Sequence, residues 1–203
     1  MKVRQIKNEE THDWLKNLHY AKRIPNIMFA FGLYEKNCLI GVITYGMPPS
    51  PPLCIGVCGA KYKDNVIELN RLCLLENRKN HASYFISKSL KLIPQPSIVV
   101  SFADTSMNHV GYVYQASNFI YTGLSAKRTD VDTGEKHARH SKNFNVSIRK
   151  ERSRKHRYIY FVGNKKQKKL FSSHLNYEIQ PYPKAENKNY QTNYIPQTQM
   201  ALI

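Results

Sequence analysis

From Asn8 to about Leu18, the spacing Thr11, Trp14, Leu15, Leu18 behind acids at the start predicts a short helix whose negative residues suit its N-terminal dipole end. Residues His19 to Asn26 read as loop. Two apolar runs follow, Met28–Tyr34 and Cys38–Gly46, joined by the polar turn Glu35-Lys36-Asn37, which predicts a hairpin. Met47 to Pro52 is expected to be irregular, because consecutive prolines do not fit a central strand. Val66–Leu75 reads as a strand and Glu76 to His81 as a polar turn. A helix from about Ala82 to Leu92 puts Phe85, Ile86, Leu90 and Ile93 on one stripe, and Pro94 and Pro96 end it. Ser97–Phe102 is a buried-type strand, Asn108–Ser117 a short helix and Phe119–Gly123 a returning strand. The order α, ββ, loop, β, α, β, α, β predicts an α/β domain with a mixed, mostly antiparallel central sheet flanked by helices and a basic C-terminal extension. After about Asp130 the pattern weakens; Tyr158–Val162 is one more strand. The domain plan is therefore a core over 1–130, a basic segment over 131–184 that completes the domain, and a flexible tail over 185–203.

Composition narrows the class. With 203 residues, 41% of them hydrophobic and 11% aromatic, the chain has enough apolar material for one folded core and is not wholly disordered. No run approaches the ~18 apolar residues of a membrane span, and the N-terminus turns acidic where a signal peptide needs its apolar stretch. The expectation is a cytoplasmic protein with no membrane partner. Cys38, Cys54, Cys58 and Cys73 lack CxxC pairing, so they read as reduced thiols rather than zinc ligands or disulfides.

Charge changes the picture more. Lys and Arg number 31 against 14 Asp and Glu, a net charge of +17. Between Lys136 and Lys169 there are 13 Lys/Arg and one acid, Glu151. Such density repels itself unless a polyanion is present, and arginines beside aromatics suit phosphate forks and base stacking. DNA is the expected partner rather than a merely solvated basic face, with Arg149, Arg152, Arg154, Lys155, Arg157 and Tyr158 as candidate nucleic-acid contacts.

The element order is similar to that of the acetyl-coenzyme A dependent acyltransferases of the GNAT superfamily. In that fold a strand edge holds the pantetheine arm, and the next loop and helix N-terminus hold the pyrophosphate through backbone N–H groups. The corresponding stretch is Asn77-Arg78-Lys79-Asn80-His81-Ala82, with Asn80 where the family has Gly. The resemblance implies a coenzyme A derivative, acetyl-CoA, against Leu72, Leu74, Asn77, Arg78, Lys79, Asn80, His81 and Ala82. Ile98–Asp104, a helix ending near Tyr114, and Ser117-Asn118-Phe119 look like the superfamily's strand, helix, tyrosine and return. Tyr114 falls where many members place a phenol that protonates the leaving thiolate.

More specific is the combination His19-Tyr20, Glu68-Leu69-Asn70-Arg71-Leu72, Ser101-Phe102-Ala103-Asp104 and Gly111–Phe119. It resembles the Mom family of bacteriophage DNA-modification proteins, a divergent GNAT-like group, from roughly Leu18 to Lys184. The resemblance implies an anti-restriction transferase that converts adenine in DNA to its N6-carbamoylmethyl form in the cytoplasm of a bacterial host; between monomer and homodimer the sequence does not choose. It places catalytic roles on His19, Tyr20, Asp104 and Tyr114, and implies iron held by His19, Tyr20 and Asp104, since imidazole and carboxylate suit that metal. A metal-free alternative has Asp104 accepting from the adenine amine while His19 shuttles the proton. Blander readings are a C-terminal helix cap for His19 and an N-cap for Asp104. Glu68 and Arg71, three residues apart on a strand, are expected to face opposite sides. Tyr20, Tyr45 and Tyr112 are candidates to stack a flipped base. Other classes remain open: an acetyltransferase for a protein or small-molecule amine, and a non-catalytic DNA-binding protein.

Overall fold

Strand β1 (Lys2–Gln5), too short and polar to be read from the pattern, pairs antiparallel with β2 (Phe29–Glu35), which forms the expected hairpin with β3 (Cys38–Gly46). The hairpin turn needs two positive φ angles, and Lys36 (φ 47°) and Asn37 (φ 67°) supply them. The computed structural model describes residues 1–131 and 149–185. Most of the tail expected to be flexible, and the basic stretch 132–148, lie outside those residues.

Between β1 and β2 the chain coils through a tight turn at Asn8–Thr11 and a wider one at Trp14–Leu18, burying Leu15 against Val42 and Cys73. The irregular stretch after β3 is shorter than expected. Pro51 and Pro52 open helix α1 (Pro51–Cys58), because the first helical positions have no N–H bond to lose. Strand β4 (Val66–Leu74) returns beside β3, helix α2 (His81–Ser89) follows, and β5 (Ser97–Asp104) lies parallel to β4. The expected helix over 108–117 contracts to α3 (Tyr112–Gln115), preceded by a tight turn at Thr105–Met107. Strands β6 (Ile120–Leu124), β7 (Arg128–Val131), β8 (Arg149–Arg152) and β9 (Lys155–Val162) come next, then helix α4 (Lys165–Ser173). The β7–β8 pair and α4 carry too little apolar periodicity to be read from sequence.

The main sheet runs β1-β2-β3-β4-β5-β9-β6, with β4–β5 its one parallel contact among the described strands, and β7–β8 form a separate pair. Residues 155–162 of the basic segment thus lie inside the sheet, between β5 and β6. Phe85, Ile86, Phe119 and Tyr158 pack one face under α2 and α3; Cys54, Val57, Ile98, Val100 and Phe171 pack the other under α1 and α4. All four cysteines are free, and burial pushes the thiols of Cys58 and Cys73 up to about 11. No helix among the described residues is long and apolar enough to cross a membrane. The chain after α4 runs back over the sheet end: Gln180 N–H donates to the Tyr121 carbonyl (3.0 Å) and the Tyr182 hydroxyl to the Phe119 carbonyl (2.7 Å).

Two features of β4 make the site. Thr44 pairs with Arg71 and Tyr45 with Leu69, so Asn70 is an extra residue, a β-bulge. The alternation therefore resets: Ile67, Leu69, Leu72 and Leu74 all reach one core, and Glu68 and Arg71 share the other side. This corrects the expectation that those two face apart. The bulge is held through its side chain, which accepts from Thr44 Oγ1 (2.6 Å) and donates to the Asn26 carbonyl (2.8 Å). The second feature is that β4 and β5 pair only over Val66–Glu68 and Ile98–Val100. Past Glu68 they diverge; the Ser101 hydroxyl reaches the Leu69 carbonyl (2.9 Å), and beyond it a cleft opens.

Candidate active site

The cleft is a cavity of about 450 Å³ whose walls bring together His19, Tyr20, Leu72, Leu74, Asn77, Arg78, Asn80, Ala82 and Tyr114. Their sequence positions span almost a hundred residues, and it is the splayed β4 edge that gathers them. Lys79, His81 and Asp104 are not among the lining residues. Asn80 adopts the left-handed conformation (φ 66°) as the N-cap of α2, so the helix begins in the cleft wall with its first-turn amides unpaired along the helix. Arg78 is tied to Glu35 (2.9 Å) and Glu76 (2.7 Å), and must leave them to reach a phosphate.

His19 ends the coil after Leu18, its N–H bonded to the Trp14 carbonyl (2.9 Å) and its side chain 7% exposed. Its Nδ1 accepts the Ala21 amide (3.0 Å). Burial, with the charges of Arg71, His109 and Lys22, lowers its pKa to about 3, so the ring is neutral. With Nδ1 as acceptor the proton sits on Nε2, and the imidazole offers the cleft a donor. The Tyr20 ring stacks on His19 (4.4 Å) and meets the edge of His109 (5.6 Å); desolvation and the Asp104 charge raise its phenol.

Tyr114 packs in α3 against Phe119 (5.5 Å) and Tyr158 (5.2 Å). Burial raises its pKa, outweighing the bond with Ser101, so it stays a neutral phenol. Arg71 donates to the Asn70 carbonyl (2.6 Å), while its buried Nε has no partner among the described residues. Burial raises Glu68 to about 7 against the pull of Lys155, Arg71 and Arg23. Glu68 and Arg71 are thus partly buried on one side of β4, both in the electrostatic field of Tyr114, with Arg71 also near Tyr20 and His19. Only the bulge reveals that shared side, which strand alternation in the sequence conceals. His109, five residues after Asp104 in a stretch read as helix, is a titratable cleft residue that sequence reasoning missed.

Asp104 acts as the N-cap of the Thr105–Met107 turn, accepting from Ser106 N (3.0 Å) and Ser106 Oγ (2.8 Å), with Lys155 Nζ 3.5 Å away. Its pKa is low: burial raises it, but bonds from Ser153 and Ser106 and the Lys155 charge prevail. These residues do not fit an iron ion. The Asp104 oxygens are engaged, the His19 Nδ1 accepts a backbone amide, and no three His, Cys, Asp or Glu side chains among the described residues gather as a metal set. A coenzyme A derivative fits better, since the β4 edge, freed of β5, and the α2 N-terminus lie in one cleft.

The basic candidates divide. Arg149 and Arg152 are exposed on β8. Arg154 donates to the Ser125 carbonyl (2.7 Å), and Arg157 bonds Thr122 and stacks on Tyr177 at 3.4 Å. Tyr158 is fully buried, its hydroxyl on the Val110 carbonyl, so it presents no ring to a base. Tyr45 is likewise buried, bonded to Ser89 (2.7 Å).

The Mom protein family matches residues 1–184. The chain belongs to the Mom family. It is 29% identical over 206 aligned positions, 89% of this chain and 85% of the relative, to "Methylcarbamoylase mom" of Escherichia phage Mu. Among solved structures, Arabidopsis thaliana NAA60 in complex with acetyl-CoA superposes with a TM-score of 0.51 at 12% identity, covering 79% of this chain and 99% of that one. NAA60 with a bisubstrate analogue gives the same score, identity and share of this chain, and 97% of its own. These likenesses concern the fold, which is GNAT-like as the element order implies, a mixed sheet with one parallel seam.

Proposed function

We propose that this Mom family protein modifies adenine in DNA at the exocyclic N6, installing a carbamoylmethyl group, with a coenzyme A derivative in the β4–β5 cleft. The observation that carries the reading is the cluster at the head of that cleft, where Arg71, Tyr114, Tyr20 and His19 line the walls and the bulge sets Glu68 on the Arg71 side of β4, outside the lining itself. The relative's name, methylcarbamoylase, denotes a group of the same composition as carbamoylmethyl and so supports transfer of a two-carbon unit bearing an amide nitrogen, and the net charge of +17 supports a polyanionic substrate.

Each side chain has a task it can perform from its position. The neutral Tyr114 phenol is a proton donor to a leaving group. His19 Nε2–H donates to an oxygen or ring nitrogen of a bound ligand. Glu68, near pKa 7, suits removal of a proton from the acceptor amine. Arg71, with its unmatched Nε, stabilises negative charge developing in the cleft. Tyr20, half-exposed at the mouth, and the half-buried Tyr112 are the aromatics left to hold an extruded base. Asp104 positions the turn that carries His109 and restrains Lys155. A thioester of coenzyme A would offer its carbonyl carbon, and attack there by the N6 amine would expel the thiolate and leave N6-acetyladenine. A carbamoylmethyl group instead joins N6 through its methylene and holds one NH more, so its donor must carry the amide nitrogen and a leaving group on that methylene, and product mass tells the two apart.

The test is to express the protein in bacteria, digest the DNA to nucleosides and analyse adenine derivatives by mass spectrometry. A carbamoylmethyl derivative lost on Tyr114→Phe and Glu68→Gln is the expected result. Unmodified adenine beside acetylated amines would replace this reading with ordinary acetyl transfer, which the likeness to an acetyl-CoA-bound structure favours.

A further inference from the structure

Strands β7 and β8 pair with each other outside the main sheet, in strict register from Arg128 opposite Arg152 to Val131 opposite Arg149. One face of this ribbon carries Arg128, Arg152, Asp130 and Lys150; the other carries Thr129, Glu151, Val131 and Arg149. All of β8 is exposed. Arg152 pairs with Asp130 at 3.2 Å on the ribbon itself, whereas the Arg128 and Arg149 side chains make no ion pair or hydrogen bond among the described residues. Val131 is the sole apolar residue, too little to seat a protein partner.

The root of the ribbon is fixed. Ser125 N–H donates to the Lys155 carbonyl (2.8 Å), Arg154 Nε to the Ser125 carbonyl (2.7 Å), and Thr105 Oγ1 to the Arg154 carbonyl (2.7 Å). Thr105 follows Asp104, so the ribbon springs from the end of β5 that adjoins the cleft. Dimensions then select a partner. Paired strands lie about 4.8 Å apart, and four residues extend about 13 Å. A DNA major groove, about 12 Å wide and 8.5 Å deep, admits such a ribbon with its side chains, and a minor groove about 6 Å wide does not.

We propose that the β7–β8 ribbon is a major-groove arm, with Arg128 on one face and Arg149 on the other reaching phosphates of opposite groove walls. The inference rests on the DNA reading above and adds where the duplex is held: the arm grips the groove while the cleft at its root faces the bases.

The full chain is titrated against a labelled duplex by anisotropy across a salt series, with dimethyl sulfate protection as the groove readout, since the reagent methylates guanine N7 in the major groove and adenine N3 in the minor. Protection of N7 and not N3 is expected. Arg128→Ala with Arg149→Ala should weaken binding about tenfold and flatten the log–log salt slope by about two, one for each lost phosphate contact. Both positions are exposed, and an unchanged thermal melt confirms the variant is folded. N3 protection, or wild-type affinity in the double variant, overturns the arm. Duplex binding with N7 protection but no adenine modification would refute the proposed chemistry and leave the arm standing; absence of duplex binding overturns the arm, and the nucleoside mass spectrum alone decides the chemistry.

Discussion

The Nδ1 of His19 accepts the Ala21 amide at 3.0 Å, and this bond decides what the imidazole presents to the cleft. A ring held neutral, with pKa near 3, cannot start as an imidazolium, and its cleft-side nitrogen carries the proton.

Because the unfolded chain restores His19 to about 6.5, it binds one proton more than the native state between pH 6.5 and 3. Stability from this group is complete above 6.5 and falls as pH drops, by about 1.4 kcal/mol per unit. Urea titrations of wild type and His19→Gln across that range should differ by this slope; parallel curves would refute the assignment.

Glu68 has the opposite sign. Its native pKa, about 7, lies above the 4.5 of the unfolded chain, so its contribution is complete below 4.5 and lost as pH rises through 7. Glu68→Gln should therefore gain stability relative to wild type from pH 5 to 8. The same titration predicts that wild-type kcat/KM rises with pH through about 7, and that Glu68→Gln loses this limb with a rate drop of roughly 10²–10⁴. A variant that keeps both limb and rate would remove Glu68 from the chemistry.

Tyr114→Phe retains the ring contacts with Phe119 and Tyr158 and removes only the phenol. Its melting temperature should stay close to wild type while turnover falls on the order of 10²-fold. Equal turnover would leave Tyr114 a packing residue.

Gly111 opens α3 at φ 82°, and a Cβ there would collide with the Tyr158 ring. Gly111→Ala should cost about 2–4 kcal/mol in denaturant unfolding, from strain and overpacking together. A loss below 0.5 kcal/mol would mean that the turn relaxes.

The periodic elements were legible because their apolar spacing is strong: the β2–β3 hairpin, β4, α2 and β5 all lie near their expected bounds. β1, β7 and β8 were not, being four residues each and largely polar, with partners that fix them only in three dimensions. α4 was hidden by its lysines, although Asn164 and Gln167 form a capping box. At the site, the left-handed Asn80 and the approach of Leu72 and Leu74 to the cleft follow from the family resemblance. That Glu68 and Arg71 share one side of β4 does not, since one inserted residue inverts the alternation. Tyr158 misled because a basic neighbourhood in sequence says nothing about which ring the sheet buries.

The parallel ladder between β4 and β5 is three residue pairs long. It is a seam between two antiparallel halves, β1 to β4 on one side and β5, β9 and β6 on the other. The ladders that flank it are longer, six pairs between β3 and β4 and eight between β5 and β9. Glu68 and Arg71 belong to the first half, Ser101 and Tyr114 to the second, so the reactive cluster exists only once the halves dock. Amide exchange should therefore be faster along Val66–Glu68 and Ile98–Val100 than in the flanking ladders, with competence for catalysis arriving as the last event of folding.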